Sequence, residues 1–111
     1  VAWPAPERLL ATLTGLDGKP ITGKDEGDAE DIARLGGALL MSFERRHRIL
    51  AYATDETKVR AISPPPGLDK APVNGGIEAL TQLPGGRLLA ILEAATAVSG
   101  GASSGTSLAW I

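Results

Sequence analysis

The sequence predicts an all-β chain built from blades of a β-propeller, and three observations carry that expectation. The first is an internal repeat: Asp28-Ala-Glu-Asp-Ile-Ala-Arg-Leu-Gly-Gly-Ala-Leu-Leu-Met-Ser-Phe-Glu44 aligns with Gly76-Ile-Glu-Ala-Leu-Thr-Gln-Leu-Pro-Gly-Gly-Arg-Leu-Leu-Ala-Ile-Leu-Glu93 when one gap is allowed at Pro84. The spacing is 48 residues before the gap and 49 after it, a period that suits one propeller blade. The second is the Gly-Gly pair in each copy, because adjacent glycines both adopt the φ that a tight hairpin demands. The third is that Leu39-Leu40-Met41-Ser42-Phe43 and Leu88-Leu89-Ala90-Ile91-Leu92 are apolar on both faces, as a sheet packed between two neighbours needs.

The elements follow in order. Residues 8–14 alternate loosely, with Leu9, Ala11 and Leu13 on one face, and lead into Leu16-Asp17-Gly18-Lys19-Pro20, a turn in which Asp bonds its own backbone and Gly supplies positive φ. Residues 22–31 carry Asp25, Glu26, Asp28, Glu30 and Asp31, the pattern of a solvated loop. Strands are expected over residues 30–35, 38–44, 49–53 and 59–63, the last closed by Pro64-Pro65-Pro66, which have no N–H to donate to a ladder. The second copy predicts strands over 77–83 and 87–93, a Gly-, Ser- and Ala-rich connection over 94–105, and a further strand over 108–111. Helix competes over 29–40 and 88–98, where good helix formers are present. The glycine pair in the first of these and the matched strand register of both copies favour strand. The organisation expected is one partial propeller domain over residues 1–111, with four-stranded blade-like repeats at about 22–66 and 70–111.

Length, composition and charge bound the function. With 111 residues the chain holds about two such repeats, whereas a closed ring takes four to eight blades. The expectation is a piece excised from a larger ring, its ends cut within the pattern, or a protomer that completes its sheets with other copies. Net charge is −2 and the basic residues are scattered, apart from Arg45-Arg46-His47-Arg48, which argues against a nucleic-acid module. The longest uninterrupted apolar run, at Leu88-Leu89-Ala90-Ile91-Leu92, is far too short to span a membrane. With no cysteine there are no disulfides and no thiolate metal sites, a usage that fits an exported protein.

Candidate chemistry sits at the hairpin ends. If Gly85-Gly86 is the whole loop, Pro84 faces Arg87 and Glu78 falls opposite Glu93; in the first copy Leu35 faces Ala38, and Glu30 and Glu44 come within one residue of facing. Four carboxylates, Glu30, Glu44, Glu78 and Glu93, are thus expected at one rim of two consecutive blades. Like charges opposite one another in a sheet repel, so an arginine, a cluster of backbone N–H groups or a hard cation such as calcium must compensate. A latch role, accepting loop amides and locking blade ends, is the one the repetition favours, since a structural job is shared by every blade whereas a catalytic residue more often appears once. Arg45, Arg46 and Arg48, with His47, form a basic turn suited either to gripping phosphate or to countering the acidic loop. Gly101-Ala102-Ser103-Ser104-Gly105 matches G-x-S-x-G, but it lies in a low-complexity stretch with no strand before it and no helix after it, and reads as incidental. Trp3 and Trp110 read as blade-packing aromatics.

Asn74-Gly75-Gly76-Ile77-Glu78-Ala79-Leu80, then Leu83-Pro84-Gly85-Gly86-Arg87-Leu88-Leu89-Ala90 and Glu93, resemble the bacterial phytase-like propeller family, described as having esterase-like phytase activity. Asp28-Ala29-Glu30-Asp31-Ile32-Ala33 and Ser42-Phe43-Glu44-Arg45-Arg46-His47-Arg48-Ile49 resemble its preceding blade. The resemblance spans nearly the whole chain and about a third of a family member. It implies a six-bladed ring in a periplasmic or secreted bacterial protein. The family label comes from calcium-dependent propeller phytases, whose clustered carboxylates bind calcium and whose Lys and Arg bind phosphate. That implies metal ligation by Glu30, Glu44, Glu78 and Glu93 with Asp28 nearby, and phosphate binding by Arg45, Arg46, Arg48 and His47, although a full phytase calcium motif is not present. Two functions fit these residues: a calcium-assisted phosphoesterase acting on a phosphorylated small molecule, or a non-catalytic propeller module whose rim carboxylates are structural.

Overall fold

The computed structural model describes residues 12–53, 58–93 and 109–111 and is all-β apart from two short helical turns. A four-stranded antiparallel sheet is formed by β1 (Ala29–Leu35), β2 (Ala38–Phe43), β3 (Arg48–Ala53) and β4 (Val59–Ile62) in sequence order. A second antiparallel sheet is formed by β5 (Ile77–Leu83), β6 (Arg87–Leu92) and β7 (Ala109–Trp110), also in sequence order. Two consecutive meanders packed through their first strands are the architecture of a propeller fragment. The described parts of the segments over which helix competed hold no helix: Ala29–Leu35, Ala38–Phe43 and Arg87–Leu92 are strands, the first two joined by the Gly36-Gly37 turn. Expectations on residues 1–11 and 94–108, including Trp3 and the G-x-S-x-G match, lie outside the described residues.

The core is the seam between the sheets. Ala33, Leu40, Ile49 and Ala51 project from the first sheet onto Ile77, Leu80, Ala90 and Leu92 of the second, with Leu68 buried among them. This accounts for apolar residues on both faces of β2 and β6: alternate residues are used at this seam, while Phe43 and Leu50 are buried outside it. Polar latches cross the same seam. Ser42, with no solvent exposure, donates its hydroxyl to the Ile77 carbonyl at 3.0 Å, and the Leu80 N–H donates to Asp31 Oδ2 at 2.6 Å. Trp110 packs against the core and donates its indole N–H to the Pro66 carbonyl at 3.1 Å.

The turns explain the register. At residues 15–19 the Asp17 side chain accepts the Lys19 N–H at 3.0 Å and Gly18 takes φ 75°, as the Asp-Gly pair predicts. The acidic stretch expected as a loop contains one helical turn, Lys24–Gly27, with no buried residue. In the first hairpin Leu35 faces Ala38 across Gly36-Gly37, as expected. In the second, Leu83 rather than Pro84 faces Arg87, so the loop is Pro84-Gly85-Gly86 with Gly85 at φ 80° and Gly86 at φ 72°. Proline has no N–H for the closing pair of a two-residue hairpin, so it is pushed out of the ladder and the register moves by one.

Candidate functional site

Both hairpins break in the same place. The β1–β2 register shifts between Ala29 and Asp31 and the β5–β6 register shifts between Ile77 and Ala79, leaving Glu30 and Glu78 as the extra residues of two β-bulges. A bulge re-aims a side chain at the end of a sheet. Beyond each bulge pairing resumes: the Glu44 N–H donates to the Asp28 carbonyl at 2.8 Å, and the Glu93 N–H to the Gly76 carbonyl at 3.0 Å. Structurally, then, Glu30 corresponds to Glu78 and Glu44 to Glu93, with the spacings of 48 and 49 residues seen in the sequence.

Glu78 is therefore not directly opposite Glu93 in the ladder, as the two-residue loop had required. The Glu78 pKa is nonetheless raised above the usual carboxylate range, first by burial and then by Glu93, through its charge and hydrogen bonding. Glu30 and Glu44 contribute to the same rise. The Glu30 pKa is raised as well, first by burial, then by Glu44, Asp28 and Glu93, and is eased by Lys24. The four glutamates thus feel one another across the two sheets.

Asp28, Glu30 and Glu44 form the tightest part of the group. Each offers a carboxylate oxygen, and the three oxygens lie within 4.8 Å of one another, a donor set that can hold a metal ion. All are hard oxygen ligands of the kind that suits calcium or magnesium. Glu44 is buried, and its Oε1 accepts the Gly76 N–H at 3.4 Å. The sequence placed Asp28 in the acidic loop, and the family resemblance set it near the metal-ligating glutamates. Its position across the ladder from Glu44 is what brings it into the cluster, and the alignment of Asp28 with Gly76 was the available signal.

The basic turn between β2 and β3 is engaged with the helical turn. Arg45, in the left-handed region at φ 60°, bonds Asp28 at 3.0 Å and Asp25 at 3.1 Å. Arg46 pairs with Glu26, and Arg48 donates to the carbonyls of Arg46 and Glu26 while its guanidinium lies 4.2 Å over the Phe43 ring. His47 Nε2 is 2.7 Å from the Pro72 carbonyl, which places the ring proton on Nε2. Its Nδ1 is buried without a hydrogen-bond partner, against Gly76. No helix among the described residues is long and apolar enough to cross a membrane.

A family model described as phytase-like, esterase-like activity of phytase, matches residues 7–111. No curated protein and no solved structure matches the chain. The family match covers both bulged hairpins, their glycine turns and the carboxylates at their ends, and the chain belongs to the phytase-like family.

Proposed function

We propose that the chain is part of a phytase-like, calcium-assisted phosphoesterase whose cation site is the carboxylate group at the ends of the two hairpins. The observation that supports this reading is the close approach of Asp28, Glu30 and Glu44, with Glu78 and Glu93 coupled to them. Carboxylates crowded together repel one another, and a cation that enters among them relieves that repulsion. Asp28, Glu30 and Glu44 would hold calcium, with Glu78 and Glu93 completing the site; when bound, the ion supplies charge that neutralises phosphate and acidifies water. Arg45, Arg46 and Arg48 border the site as phosphate ligands, while His47, its Nε2–H held by the Pro72 carbonyl and its Nδ1 buried, packs behind them. Arg46, largely exposed, is the one most easily released from its acidic partner. A phosphorylated small molecule as substrate, and a periplasmic or secreted location where calcium is plentiful, complete the reading.

Phosphate release from phytate and from an aryl phosphate tests it. Calcium-dependent release that is lost in the Glu30→Gln/Glu44→Gln variant is the expected result, and no release with or without calcium overturns it.

A second reading has its own support: Glu44 is buried and bonds the Gly76 amide across the seam, as a latch in a non-catalytic binding module would.

A further inference from the structure

Asp28 is held at both its carbonyl and its carboxylate. The carbonyl accepts the Glu44 N–H at 2.8 Å, and Oδ2 accepts the Arg45 Nε–H at 3.0 Å in a partly buried bond. The same guanidinium bonds Asp25 through Nη1 at 3.1 Å, on the exposed side. Arg45 is itself anchored, because its main-chain N–H donates to the Val73 carbonyl at 3.0 Å. One arginine thus ties together the helical turn, the residue that precedes β1 and the segment that leads into β5. Its backbone makes that side chain informative. The φ of 60° lies in the left-handed region, and every other described residue with positive φ is a glycine. An L side chain is disfavoured there, where glycine fits freely, so an arginine at this position indicates that its side chain has a task.

Two tasks are open to it: neutralising the carboxylates or orienting one of them. The charges around Glu30 favour the second. Asp28 still acts on Glu30 as an anion and raises its pKa, and the cation that eases the rise is Lys24 rather than Arg45. We infer that Arg45 is a positioning residue of the cation site: by forking onto Asp28 and Asp25 it fixes the Asp28 carboxylate where, with Glu30 and Glu44, it can ligate a divalent cation. The inference rests on the calcium-assisted reading above. It gives Arg45 a role that exists before any phosphate arrives, since a carboxylate already ordered does not have to be ordered when the cation binds.

Calcium titrated into the chain without substrate, and followed by isothermal titration calorimetry, tests it, with Arg45→Gly and Arg45→Lys beside wild type. Glycine suits the left-handed backbone, so Arg45→Gly removes the side chain without straining the turn, and its calcium-free circular dichroism is expected to match wild type. Lysine keeps the charge but offers one ammonium in place of a fork. Both variants are expected to bind calcium about 10–100-fold more weakly, the usual loss when a group that orients a metal ligand is removed. Binding at wild-type strength or tighter in Arg45→Gly overturns the inference and leaves the calcium site standing. Wild-type binding in Arg45→Lys does the same, because charge alone would then suffice. A wild-type chain that binds no calcium overturns the inference together with the reading it rests on.

Discussion

Gly76, just before the first strand of the second sheet, abuts Glu44 and His47. A Cβ placed on it would lie 2.9 Å from His47 Nδ1 and 3.4 Å from Glu44 Cγ, and the His47 ring is anchored on its far side by the Pro72 carbonyl. The ring has little room to yield, so the missing side chain is a packing requirement rather than a turn requirement. Gly76→Ala is expected to destabilise the fold by about 1–3 kcal/mol, the usual cost of forcing extra volume into a packed site. A urea unfolding curve measures it, and an unchanged midpoint would show that His47 moves aside freely. The sequence marked His47 and Glu44 as candidates but carried no sign that both press on Gly76, because that contact joins residues of different sheets. The same is true of Asp31 and Ser42, whose bonds to Leu80 and Ile77 cross the seam.

The hairpins were largely legible. Their strands, the order of pairing and the glycine turns follow from alternation, apolar runs and turn chemistry, which act within a few residues of one another. Their bulges were not legible, since an extra residue in one strand changes the pairing without changing the composition. The register of the second hairpin was misread for a related reason: Pro84 belongs to the loop, and only its missing N–H reveals that. Even so, the bulged residues, Glu30 and Glu78, are two of the four glutamates singled out from the repeat. Their pKa values are raised on folding, so the folded chain binds protons more tightly than the unfolded chain, and its stability falls as pH rises from about 4.3, where an ordinary glutamate titrates, through the raised values. Thermal melts at low salt across that window are expected to show this decline. The Glu30→Gln/Glu78→Gln variant should lose that part of the decline; an identical pH profile in wild type and variant would mean the carboxylates do not interact.

At the scale of the whole molecule, two sheets share one apolar seam, and the same seam is held by backbone and side-chain bonds that end at the carboxylate group. Cation binding there would tie the two hairpin ends together, coupling the site to the packing of the sheets. The period in the sequence made the two-sheet plan legible, because each copy repeats the same residues at the same positions. It did not reveal how the sheets face each other, which depends on contacts between residues far apart in the chain. A thermal melt of the chain with calcium, and then with a chelator in excess, tests most directly whether the carboxylates of both hairpins form one cation site. A ligand that binds only the folded state stabilises it, so calcium is expected to raise the midpoint by several degrees and the chelator to reverse the rise, with little response in Glu30→Gln/Glu44→Gln. A midpoint that calcium leaves unmoved would contradict the account and leave the glutamates as latches between the sheets.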